Sequence, residues 1–73
     1  PVGDVLDVAA EIARLGQEIA AIEKTVASSR ARLDKPDFVA RAPQEVVEKE
    51  RARVAEGTAQ IARLKENLES LSR

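Results

Sequence analysis

Two carboxylate pairs stand close together in this sequence, Asp34 with Asp37 and Glu48 with Glu50. Acid–base work needs burial or a cleft that splits the pKa values of such a pair. On a thin helical surface both members read as a solvated polar face. Ser28, Ser29, Ser70 and Ser72 have no basic neighbour placed to activate them. The chain has no His, the commonest general base and metal ligand. It also has no Cys, which removes a disulfide framework, a zinc knuckle and a thiol nucleophile. Gly3, Gly16 and Gly57 are isolated, so no phosphate-cradling loop is present. Catalytic residues, a cofactor site and a metal site are therefore not expected in these 73 residues.

The basic residues carry more information. Residues 1–23 hold one base against five acids, whereas residues 24–53 hold eight bases against five acids. Lys24, Arg30, Arg32, Lys35 and Arg41 lead into the middle of the chain, and Lys49, Arg51 and Arg53 lead out of it. A charge block of this kind suggests a polarised partner. One reading is contact with the phosphates of a nucleic acid, where Lys and Arg supply affinity with little sequence information. The other is a solvated flank that pairs with Glu45, Glu48 and Glu50.

These groups must be positioned by helices. Val8, Ile12, Leu15, Ile19, Ile22, Val26, Ser29 and Leu33 repeat at alternating spacings of four and three, the heptad seam of a coiled coil. Asp7 is placed to cap this first helix, and Pro36 ends it, so a helix is expected over 7–33. Pro43 suits the first position of a second helix over 43–72. Its seam runs Val47, Glu50, Val54, Gly57, Ile61, Leu64, Leu68 and Leu71, with the second half reading as the stronger.

Folding the chain back matches Leu33 with Val47, Ser29 with Glu50, Val26 with Val54 and Ile22 with Gly57. The series continues through Ile19 with Ile61 to Val8 with Leu71. A short connection favours antiparallel neighbours, so the expected fold is all-α, an antiparallel two-helix coiled-coil hairpin about 40 Å long. The polar Ser29–Glu50 layer reads as a register device, with Arg30 near Glu50 and Arg53 across from Ala27. Within the hinge, 34–42, Asp37 is placed to cap a short turn that lays Phe38 and Val39 over Leu33, Val46 and Val47. Phe38 reads as a hydrophobic plug; base stacking on it is the alternative.

The stretch Leu33-Asp34-Lys35-Pro36-Asp37-Phe38-Val39-Ala40-Arg41-Ala42-Pro43-Gln44-Glu45-Val46-Val47-Glu48-Lys49-Glu50 resembles the hinge of the C-terminal coiled coil of valyl-tRNA synthetases, L-x-x-P-x-F-x-x-x-A-P-x-x-V-V-x-x-E. Leu33, Pro36, Phe38, Ala42, Pro43, Val46, Val47 and Glu50 occupy its fixed positions. Pro1-Val2-Gly3-Asp4-Val5-Leu6-Asp7 is similar to the segment that enters that arm, with Val2 in place of Leu, so residues 1–6 are expected as linker. The resemblance implies an arm behind catalytic and anticodon-binding domains that leans on the elbow of tRNA(Val). It implies tRNA contacts at Arg53, Lys49, Arg30 and Arg32, and hinge roles for Pro36, Phe38, Pro43, Val46 and Val47. Ala27-Ser28-Ser29 carries no charge, which weakens phosphate contact expected from that side. ATP and valine chemistry are implied for the parent enzyme only.

The rival reading is a protein-interaction module in which two hairpins self-associate into a four-helix bundle, because a single hairpin leaves its seam half wet. With 34% charged and 1% aromatic residues, so short a chain needs very regular helix packing or a larger host. The Pro1 start and absence of Met suggest a segment of a longer protein. No apolar stretch approaches the ~20 residues that span a bilayer, and the default compartment is the cytosol.

Overall fold

The computed structural model describes the backbone of residues 2–72 and the side chains of residues 7–72. Three helices follow one another: α1 (Val2–Leu33), α2 (Pro36–Arg41) and α3 (Gln44–Ser72). No strand occurs among the described residues. The molecule is a rod of 58 × 16 × 14 Å. At ~1.5 Å per residue α1 alone accounts for roughly 48 Å of that length.

Two prolines divide the chain. Each restricts the residue before it to extended backbone. Lys35 accordingly has φ −87° and ψ 115°, and Ala42 has φ −69° and ψ 149°. Pro36 has no N–H to lose and becomes the first residue of α2. The hinge therefore holds a six-residue helix of its own, so the chain has three helices where two were expected. Asp37 lies in the first turn of α2, and Lys35 occupies the cap position without a side-chain cap bond. Pro43 stands one residue before α3, and its carbonyl accepts from the N–H groups of Val46 (2.9 Å) and Val47 (3.2 Å).

At the other end α1 begins at Val2, so Asp7 lies inside the helix instead of capping it. Residues 2–6, expected as linker, have helical backbone. Val5 continues the seam spacing back from Val8, and nothing in the sequence halts the helix at Asp7. Pro1, and the side chains of the rest of the resemblance segment 1–6, lie outside the described residues.

The heptad positions form the packed face. Leu15, Ile19, Val26 and Val47 are the buried apolar side chains, and Ile12, Ile22, Leu33, Val54, Ile61, Leu64, Leu68 and Leu71 are half-buried. Contacts between the long helices run in opposite orders along them. Glu23 meets Lys65, Arg30 meets Thr58, and Arg32 meets Glu50. The tighter packing lies toward the turn, at Val26, Ser29, Val47, Glu50 and Gly57. The second half of the α3 seam was expected to be the stronger, yet its four apolar residues are only half-buried. In the hinge, Phe38 and Leu33 are half-buried, whereas Val39 and Val46 are exposed.

Gly57 explains why the distal half closes. A Cβ built on it would overlap Val26 Cγ2 and come within 3.4 Å of Ile22 Cγ2. Glycine thus lets α3 approach two β-branched side chains whose χ1 angles have little freedom in a helix. Gly16 faces open space. Gly57→Ala gains ~1 kcal/mol of helix propensity but forces overpacking that costs ~1–3 kcal/mol. A net loss of about 1 kcal/mol in urea unfolding is expected for it, against a gain of about 0.5–1 kcal/mol for Gly16→Ala. Adding Val26→Ala to Gly57→Ala should cost less than the two single changes together. A stabilised Gly57→Ala chain would refute the close approach.

Candidate nucleic-acid interface

The α1–α3 seam has two flanks, and the basic residues divide between them. On one flank a shallow groove brings Arg53, Glu56 and Gln60 of α3 beside Thr25 of α1. On the other, a groove brings Arg30 and Glu23 of α1 beside Thr58 of α3. The sequence placed Arg30 near Glu50, but its Nη2 reaches Thr58 Oγ1 at 3.5 Å. Arg32 is the residue at Glu50. The reason is helical phase: residues two apart do not share a face, so Arg30 and Arg32 depart to opposite sides of the buried Ser29.

Glu50 organises the first flank. It is 4% exposed, opposite Ser29 at 2%, so the polar layer of the seam is dry on both sides. Glu50 Oε1 accepts from Arg32 Nη1 at 3.0 Å and from Arg53 Nη1 at 3.2 Å. One arginine comes from each long helix. Both keep more than half of their side-chain surface in solvent, at 54% and 57%. Lys49 is exposed one turn before Arg53, the i, i+4 spacing that puts both on one flank. Of the four expected contact residues, Arg32, Lys49 and Arg53 therefore share a side, and Arg30 lies on the other.

The Ser29 hydroxyl, with the guanidinium groups of Arg32 and Arg53, holds the Glu50 carboxyl below its ordinary value of 4.5, overcoming the upward push of burial. Glu50 is thus a carboxylate at neutral pH, with no role as an acid. Its Oε2 is buried without a hydrogen-bond partner among the described residues. Sequence reasoning treated Glu50 as a register residue or as part of a solvated acidic face and missed its grip on two arginines. Its seam position opposite Ser29, with Arg53 three residues away, was the available signal.

Other ion pairs among the described residues are peripheral. Arg14 pairs with Glu11 and with Glu18 (3.2 Å), and Lys65 lies 3.7 Å from Glu23, all on exposed side chains where water weakens the attraction. Among the described residues no group of three or more His, Cys, Asp or Glu could hold a metal ion. No described helix is long and apolar enough to cross a membrane.

Known proteins carry the same arm. Residues 7–72 match the family described as the valyl tRNA synthetase tRNA binding arm. This chain belongs to that family. The valine–tRNA ligase of Cereibacter sphaeroides is 43% identical to it over 72 residues, 99% of this chain. Those of Caulobacter vibrioides and Streptomyces coelicolor are 44% and 43% identical over 71 and 67 residues, 97% and 92% of the chain. The arm spans 7% to 8% of the length of these relatives. No solved structure matches it.

The depressed pKa of Glu50 carries a sign. A carboxyl whose folded value lies below its unfolded value stabilises the fold above the unfolded value and loses that contribution as the pH falls through the folded one. Melting temperature followed by circular dichroism is expected to fall as the pH drops below about 4.5. Glu50→Gln should melt lower at neutral pH and show a flatter acid limb. Some slope will persist, because the hydrogen bond from Arg14 lowers Glu11 as well. An acid limb unchanged by Glu50→Gln would remove Glu50 as its source.

Proposed function

We propose that this chain is the tRNA-binding arm of a valine–tRNA ligase. In this reading its two long helices form an antiparallel coiled coil that leans on the elbow of tRNA(Val). The observation that carries it is the family match across 7–72, and the basic flank of Arg32, Lys49 and Arg53 agrees with it. Catalysis, with its use of ATP and valine, would belong to the preceding domains of a longer cytoplasmic chain, and anticodon binding likewise. The arm contributes reach and phosphate contact. Few phosphates can be engaged by three cations, so the isolated arm binds weakly and adds to the parent through effective concentration.

A titration with tRNA(Val) at two salt concentrations tests this. Binding should weaken with salt, and Lys49→Ala with Arg53→Ala together should cut affinity by roughly tenfold at low salt and reduce the salt slope by about 1.5. Arg30→Ala, on the opposite flank, should cost less. Salt-independent binding, or an Arg30→Ala loss larger than that of the double change, would defeat the proposed interface.

The half-buried seam at Ile61, Leu64, Leu68 and Leu71 favours a second reading, self-association into a four-helix bundle. Sedimentation decides it: a chain that stays monomeric at high concentration excludes the bundle.

A further inference from the structure

Register alone does not call for a charge at position 50. A neutral polar side chain opposite Ser29 would fix the alignment without the cost of burying a carboxylate. What the charge adds is visible at its Oε1, where Arg32 of α1 and Arg53 of α3 converge at 3.0 and 3.2 Å. Two guanidinium groups this close would repel each other without an anion between them. Each gives one of its five N–H donors to Glu50 and keeps the rest for another acceptor. Both side chains remain more than half exposed while the carboxylate is buried beneath them. An approaching anion therefore meets guanidinium edges, with Lys49 adding a third cation one turn away.

We propose that Arg32, Glu50 and Arg53 form a clamp for one backbone phosphate of RNA, with Glu50 as the positioning residue that holds the two guanidinium groups side by side across the helix pair. The clamp rests on the RNA-arm reading above and deepens it. Guanidinium forks match phosphate oxygens in pairs, and groups already held in place lose less freedom when the phosphate arrives. Arg30 takes no part, because its guanidinium is turned to Thr58 on the other flank.

The test is the sign of the effect of Glu50→Gln on tRNA(Val) binding, measured at low temperature where circular dichroism shows full helix. By net charge alone the substitution strengthens binding, since the chain moves from −1 to neutral. The clamp predicts the reverse, a loss of roughly 3- to 10-fold, and no further loss when Arg32 and Arg53 are already Ala. Arg32→Lys with Arg53→Lys gives an independent arm, keeping every charge and the Glu50 seam but removing the forks. It should lose binding to a similar degree. Equal or tighter binding by Glu50→Gln overturns the clamp and leaves the RNA-arm reading intact. So does wild-type affinity in the double Lys variant, or an undiminished Glu50→Gln loss without the arginines. If Glu50→Gln does not reach full helix, the double Lys variant decides alone. Absence of salt-sensitive binding by the unaltered chain removes both the clamp and the reading beneath it.

Discussion

A rod in which two long helices share a single seam has no interior in which a charge can be hidden far from water, and a carboxylate brought into that seam must be compensated at once. Glu50 meets that constraint from both sides of the seam. Ser29 faces it inside the layer, and Arg32 and Arg53 cover it from the flank. Sliding the helices by a heptad would leave the carboxylate against an apolar side chain, which burial penalises heavily. The polar layer therefore sets the alignment of every apolar pair on either side of it, and through that alignment it sets which flank each basic residue occupies.

The close approach at Gly57 works with this layer. Without a side chain there, α3 sits directly on Ile22 and Val26, and the distal seam becomes the driest part of the arm. Toward the chain termini the seam carries larger residues and is wetter, down to Val8 at the exposed limit. Packing density and polar specificity are thus concentrated near the turn, in the same half of the rod that carries the excess of basic residues.

Much of this was readable from spacing. The alternation of three and four from Val8 to Leu33 and from Val47 to Leu71 marks the packed positions, because only side chains at that period can face a partner helix along its whole length. The hinge resemblance, Leu33 to Glu50, led to the family that the match over 7–72 establishes. Local signals were less dependable at the ends. Asp7 has the chemistry of a cap, yet the helix passes through it, since a capping residue permits a start and does not compel one. Pro36 was read as a terminator and is also an initiator, because the missing N–H that ends α1 costs nothing in the first turn of α2.

The sequence by itself determined the helical class, the seam, the two proline breaks and the concentration of basic charge around the turn, since each depends on residue type and near-neighbour spacing. Tertiary structure alone decided which cations share a surface. Arg30 and Arg32 differ by two positions and look equivalent in a charge count, but their phase about the buried Ser29 sends one to Thr58 and the other to Glu50. The union of Arg32 with Arg53 joins residues from different helices through one oxygen atom. That contact exists only once the seam has closed.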